Sequence, residues 1–94
     1  MRVVNTKLID DYMANHARSR GALRACLAEA REAEWPTPAD LKVRYPSASI
    51  LSENRVVFNI AGNTFSLLCT AAYRSGLVAV KRIGTHAEYN RWSL

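Results

Sequence analysis

Toward its end the chain reads Gly84-Thr85-His86-Ala87-Glu88-Tyr89, and here the residue types could do chemistry. Thr85 with Glu88 three residues later is a capping-box pattern, which predicts a short helix with His86 in its first turn. Backbone N–H groups at a helix start face outward and attract anions, a phosphate foremost. An imidazole titrates close to neutral pH, and Tyr89, three residues on, would share its face of the helix. The charge distribution also points to an anionic partner. Residues 1–40 carry six basic and six acidic side chains and cancel, whereas residues 41–94 carry Lys42, Arg44, Arg55, Arg74, Lys81, Arg82 and Arg91 against Glu53 and Glu88. The whole excess of +5 therefore lies in the second half, an electrostatic footprint for a polyanion such as nucleic acid. The plainer reading of the same charge is solubility.

Strands must position that turn. From Arg55 to Ala61 side chains alternate, with Val56, Phe58 and Ile60 on one face and Arg55, Val57 and Asn59 on the other. Gly62-Asn63 is a two-residue hairpin signal, since Gly accepts the positive φ such turns need. A two-residue turn forces the register. Ile60 then faces Phe65, Phe58 faces Leu67, Val56 faces Cys69, Asn59 faces Ser66 and Arg55 faces Thr70. After a second strand over about residues 64–73, Ser75-Gly76 is expected as the loop into a third, Leu77–Ile83. That register sets Val78 opposite Tyr73 and Val80 opposite Ala71, and places Lys81 beside Thr70. The expected sheet is thus a three-stranded antiparallel meander. Its apolar face carries Val56, Phe58, Ile60, Leu67 and Val80, and its polar face carries Arg55, Asn59, Thr70 and Lys81.

The first half supplies helices for the apolar face. Thr6 is the expected cap of a helix reaching about Asn15, with Leu8, Ile9, Tyr12 and Met13 at helical spacing. Asp10 and Asp11 diverge by roughly 100° on that helix, so a solvated face explains them better than paired acid–base carboxylates. His16 falls in the break, as a helix-end residue. Ser19 is expected to cap a second helix whose stripe is Leu23, Cys26/Leu27 and Ala30. Thr37-Pro38-Ala39-Asp40 predicts a further short helix over residues 38–44, with Trp35 plugging the seam beside it. Arg2-Val3-Val4 could add an edge strand. Ninety-four residues at 49% hydrophobic make one small domain, residues 1–94, with α+β architecture: an N-terminal helical hairpin packed on a small antiparallel sheet, then a short C-terminal helix. No apolar run of about 18 residues occurs, and the opening MRVVNTK lacks a secretory h-region, so no membrane association and a cytoplasmic location are expected. Cys26 and Cys69 are expected as buried free thiols, and no His/Cys spacing suggests a metal.

The run Ala39-Asp40-Leu41-Lys42, Ser47-Ala48-Ser49-Ile50-Leu51, Asn54-Arg55-Val56-Val57-Phe58-Asn59-Ile60, Gly62-Asn63 and Ile83-Gly84-Thr85-His86-Ala87-Glu88-Tyr89 resembles the HigB-type toxins of bacterial toxin–antitoxin pairs. The resemblance implies a RelE-like fold and an mRNA interferase, a metal-free and cofactor-free endoribonuclease acting on mRNA, usually at the translating ribosome. It implies a cognate helix-turn-helix antitoxin of the HigA kind as partner, with DNA reached only through that antitoxin. RNA carries its own nucleophile, the 2′-OH, so such a site needs a base, an acid and cations. His86 would act as acid or base, and Tyr89 would position the phosphate or protonate the leaving 5′-oxygen. Lys81 and Arg55 would neutralise charge on the non-bridging oxygens. Lys42, Arg44, Asn59, Arg82 and Arg91 are the further RNA-binding candidates. Thr64 and Ser66 stand where the family more often has basic residues, Asn90 where it has Asp, and Arg82 where it has an aromatic. A second reading therefore stays open, a protein that keeps the fold and the antitoxin contact but cleaves weakly.

Overall fold

The computed structural model describes residues 1–62 and 64–94. In chain order its elements are β1 (Arg2–Val4), α1 (Lys7–Asn15), a 3-10 turn (Ala17–Ser19), α2 (Arg20–Glu32), α3 (Pro38–Arg44), β2 (Ser49–Ile50), β3 (Arg55–Ile60), β4 (Phe65–Ala72), β5 (Leu77–Thr85) and α4 (His86–Tyr89). The five strands form one sheet in the order β1-β5-β4-β3-β2. The meander β3-β4-β5 is its centre, but the sheet is mixed, because β1 runs parallel to β5 with Arg2 opposite Leu77 and Val4 opposite Ala79.

The β3–β4 register is the expected one throughout, from Arg55 opposite Thr70 to Ile60 opposite Phe65. The Thr64 amide donates to the Ala61 carbonyl at 3.3 Å and closes the turn around Gly62 (φ 68°). Asn63, the other half of the expected turn signal, lies outside the described residues. The β4–β5 register departs from expectation by two residues. Val78 faces Ala71 and Val80 faces Cys69, so the connection is the four residues 73–76 rather than Ser75-Gly76 alone. A shift of two keeps each side chain on its own face, which is why the core composition survives the error. A bulge follows, with Cys69 opposite Val80 but Leu68 opposite Arg82. Lys81 is the extra residue and does not pair beside Thr70. The bulge lets Lys81 and Arg82 both stay exposed in succession and returns Ile83 to the core side.

Helices α1 and α2 pack on one face of the sheet. Ile9 and Met13 of α1 join Leu23, Cys26 and Ala30 of α2 in one cluster with Val56, Phe58, Ile60, Leu67, Val78 and Val80. Thr6 does not cap α1. Its backbone is helical (φ −72°, ψ −10°) and its side chain makes no cap bond. Nor does Ser19 cap α2: it is wholly buried, and its hydroxyl donates to the His16 carbonyl at 2.6 Å. Thr37 and Asp40 do form the expected capping box at α3. Trp35 is buried at the seam, edge-on to Tyr45 (5.9 Å) and tilted against Phe58 (6.4 Å). The segment before β3 holds a further hairpin, in which β2 pairs antiparallel with β3 through a turn whose Glu53 and Asn54 both have left-handed backbone (φ 60° and 59°). Both cysteines are buried and free.

The face expected to be open and polar is partly covered. Val57 is 1% exposed and Ser66 0%, although both point away from the helices. The segment after α4 comes back to the sheet at two places, at Gly84, the strand partner of Ser66, and at Arg55. Trp92 Cζ2 lies 3.0 Å from where a Cβ on Gly84 would stand, and the Arg55 guanidinium donates to the Leu94 carbonyl at 3.1 Å. Among the described residues no helix is long and apolar enough to cross a membrane.

Candidate active site

Strand β5 runs without a break into α4, so the sheet fixes the direction from which His86 arrives. The junction is locked by the capping box. Thr85 N donates to Glu88 Oε1 at 2.8 Å and Glu88 N donates to Thr85 Oγ1 at 3.1 Å. These bonds, with Arg82 and His16 nearby, hold the Glu88 carboxyl below the usual carboxylate range, the Thr85 backbone bond contributing most. The His86 amide donates to the Thr64 carbonyl at 3.0 Å, tying the turn to the start of the return strand. With the His86 and Glu88 amides thus occupied within a four-residue helix, the phosphate expected at its N-terminus has few free donors to meet.

The side chains on this turn form an aromatic row. His86 and Tyr89 have ring centroids 5.7 Å apart at 33°, and Tyr89 meets Trp92 edge-on at 5.5 Å and 86°. Arg82 lies over the Trp92 ring with Cζ 4.8 Å from its centroid. His86 is half-buried, and its Nδ1 is shut off from solvent with no hydrogen-bond partner among the described residues. The end of α1 lies near Glu88 of the same turn. Tyr12 stacks on His16 (3.8 Å, 4°) and meets Phe65 edge-on at 5.9 Å, and Phe65 is the strand partner of Thr85.

Of the four residues assigned to chemistry, the structure brings His86 and Tyr89 together and leaves Lys81 and Arg55 apart from them. Lys81 is five residues before His86 on an extended strand, on the order of 15 Å away. Arg55 pairs with Thr70, five positions from the Phe65–Thr85 end of the sheet, and its guanidinium is occupied by Ser52 O (3.0 Å), Ser52 Oγ (3.1 Å) and Leu94 O (3.1 Å). Arg82 is the cation joined to the row, through Trp92. The further RNA-binding candidates divide as well. Lys42 donates to the Ala48 carbonyl, Arg44 pairs with Glu29 and lies over the Tyr45 ring, and Asn59 donates to Ser47 O at 2.8 Å. These three fasten the α3–β2 region to the core. Arg82 and Arg91 stay exposed, Arg82 against Trp92 and Arg91 two residues after Tyr89. Ser66, expected on an open face, is buried opposite Gly84, and its hydroxyl has no partner among the described residues. Trp92 is absent from the sequence-derived candidates, yet it carries a signal: positions 86, 89 and 92 repeat at the three-residue spacing of one helical face.

Helices on one face of a five-stranded sheet, with a basic strand feeding a capped His-x-x-Tyr turn, define the class as a small α+β protein with the architecture expected of RelE-like toxins. The family model for the HigB toxin, described as the RelE-like toxic component of a toxin–antitoxin system, matches residues 19–92. The chain belongs to that family and is a HigB-type toxin, and membership implies an antitoxin as partner. No curated protein matches the chain.

Proposed function

We propose that the protein is an endoribonuclease that cleaves mRNA on the translating ribosome, arresting translation and growth until a HigA-like helix-turn-helix antitoxin silences it. The observation that supports this reading best is the His86–Tyr89 pair, set 5.7 Å apart by a doubly capped turn at the end of a basic strand, in a chain of the HigB family. The 2′-OH of one nucleotide attacks the adjacent phosphorus as its proton passes to a base, and the P–O5′ bond breaks as the leaving oxygen takes up a proton. The products are a 2′,3′-cyclic phosphate and a 5′-OH. Because Nδ1 is closed off, His86 exchanges protons with substrate through Nε2. Tyr89 holds the phosphate or protonates the 5′-oxygen. Arg82, joined to the row through Trp92, supplies the cation for the scissile phosphate, and Lys81 meets a phosphate further along the strand, while Arg55 is held by Ser52 and Leu94. The setting is the cytoplasm.

Induced expression of the wild type and of His86→Ala, scored by growth and by mapping mRNA 5′ ends, tests the reading. New 5′ ends with the wild type that vanish in the variant are expected; equal toxicity of the two would sink it. The second reading, a toxin that binds its antitoxin but cleaves weakly, is favoured by the internal use of Arg44 and Arg55 and by the absence of basic side chains at Thr64 and Ser66. It requires that the wild type itself leave growth and mRNA ends unchanged while still capturing the antitoxin.

A further inference from the structure

Trp92 has no part in the chemistry above, yet the local structure is arranged around it. Its Cζ2 lies 3.0 Å from the point a Cβ on Gly84 would occupy, and Glu88 Cβ and Oε1 lie 3.3 Å from the same point. A Cβ at this position would be tighter than ordinary contact and would press the indole outward by a few tenths of an ångström, so Gly84 serves as its seat on β5. Arg82, two residues earlier on the strand, covers the ring at 4.8 Å. The Trp92 amide donates to the Tyr89 carbonyl at 3.0 Å, and the ring meets Tyr89 edge-on at 5.5 Å. Tyr89 in turn leans on His86. Tyr89 is held on a helix of only four residues, so its own backbone gives the ring little support.

We propose that Trp92, seated on Gly84 and clamped by Arg82, is a positioning residue that holds Tyr89 against His86. The catalytic half of this inference rests on the ribonuclease reading; the structural half does not. A base-stacking role for the indole is the alternative, and it would require RNA to displace Arg82 from the ring. Positioning uses the contacts already present. Its consequence is that the functional unit extends from Arg82 to Trp92 and includes Gly84.

The test uses the full chain with Trp92→Leu, Trp92→Phe and Gly84→Ala, read two ways. The first reading is the NMR spectrum of the Tyr89 ring. In Trp92→Leu its resonances should move toward those of free tyrosine, while the Trp35 indole and Phe58 in the core stay in place. Trp92→Phe should restore most of the shift, and Gly84→Ala should perturb it by lifting the indole. The second reading is mRNA cleavage in a reconstituted translation system. Trp92→Leu should lower kcat at least tenfold with KM within twofold, and Trp92→Phe should recover most of the loss. Unmoved Tyr89 resonances in Trp92→Leu overturn the inference. A raised KM at unchanged kcat overturns it in favour of stacking. If Trp92→Leu fails to fold, the Tyr89 resonances of Gly84→Ala decide, and their matching the wild type overturns it. Should the wild type show no cleavage at all, the ribonuclease reading fails and the Tyr89 resonances alone decide the positioning claim.

Discussion

Replacing Phe58 by Ala should remove about 4–5 kcal/mol of folding stability. Phe58 is 3% exposed, pairs across the sheet with Leu67, and meets Tyr45 edge-on at 5.3 Å and Trp35 at 6.4 Å. Phe-to-Ala truncations in cores cost about 3–5 kcal/mol, and the cost rises where neighbours cannot collapse into the void. Here two rings and a central strand surround the site, and edge-to-face pairs add roughly 0.5–1.5 kcal/mol beyond area burial. A chain of 94 residues carries a total stability of about 5–14 kcal/mol at typical values per residue. The substitution therefore takes from a third to nearly all of it. Urea unfolding followed by circular dichroism is the assay. With a slope of about 1.5 kcal/mol/M, a 4 kcal/mol loss moves the midpoint by roughly 2.7 M. A shift under about 1 M at unchanged slope would refute the reasoning, because it would mean that the aromatic cluster closes over the gap. The double variant with Tyr45→Leu should show a coupling of about 0.5–1.5 kcal/mol.

Four further outcomes are expected. Burial pushes the Cys26 thiol up to about 11 and raises that of Cys69 as well, so neither should react with a chromogenic disulfide at pH 8 until the chain unfolds. Glu29, which accepts from the Tyr45 hydroxyl and pairs with Arg44, and Glu88, which accepts from Thr85, are both held below their ordinary values. The stability each contributes is present above the unfolded carboxylate range and lost as pH falls through the folded values, so midpoints measured from pH 6 to pH 3 should fall less in Glu29→Gln than in the wild type. RNA or ribosome association should weaken steeply with salt. Arg82→Ala and Arg91→Ala should each lower the log–log slope by roughly 0.7, the share of one phosphate left unneutralised, and Arg44→Ala should leave it unchanged because that cation is already paired with Glu29. Thr37→Ala, which breaks the capping box of α3, should cost about 1 kcal/mol in the same urea assay.

The β3–β4 hairpin is legible in the sequence because alternation and a short turn both act over a few residues and constrain each other. Beyond it, the alternation Val78, Val80 changes parity at Ile83, with Lys81 and Arg82 between. That break is what a bulge looks like in sequence, and extending the alternation through it misplaces Lys81. Gly76 suggests a two-residue turn before β5, whereas the chain uses residues 73–76. The covering of the second face is not legible in the strands themselves. Val57, Ser66 and Leu68 are small or apolar for an open surface, but nothing in the strands announces that Trp92 and Leu94 return to Gly84 and Arg55. At the site, capping chemistry is local and is legible at Thr85, while the separation of Arg55 from His86 depends on which end of a strand each occupies. A shared face does not bring two residues together when they stand at opposite ends of it.

The parallel pairing of β1 with β5 bears on when the molecule can be completed. Arg2 and Leu77 are neighbours in the sheet but 75 residues apart in the chain. At a synthesis rate of about 5–20 residues per second, β1 waits roughly 4–15 s for its partner strand. Until then it is an apolar strand with an unpaired edge, and the His86 turn has yet to be made. The β1 edge of the sheet therefore cannot form before residues 77–79 exist to receive it. A pairing between residues so far apart in the chain carries a high loop-closure cost, so β1 is expected to join the sheet late, after the β3-β4-β5 meander has formed from its local contacts.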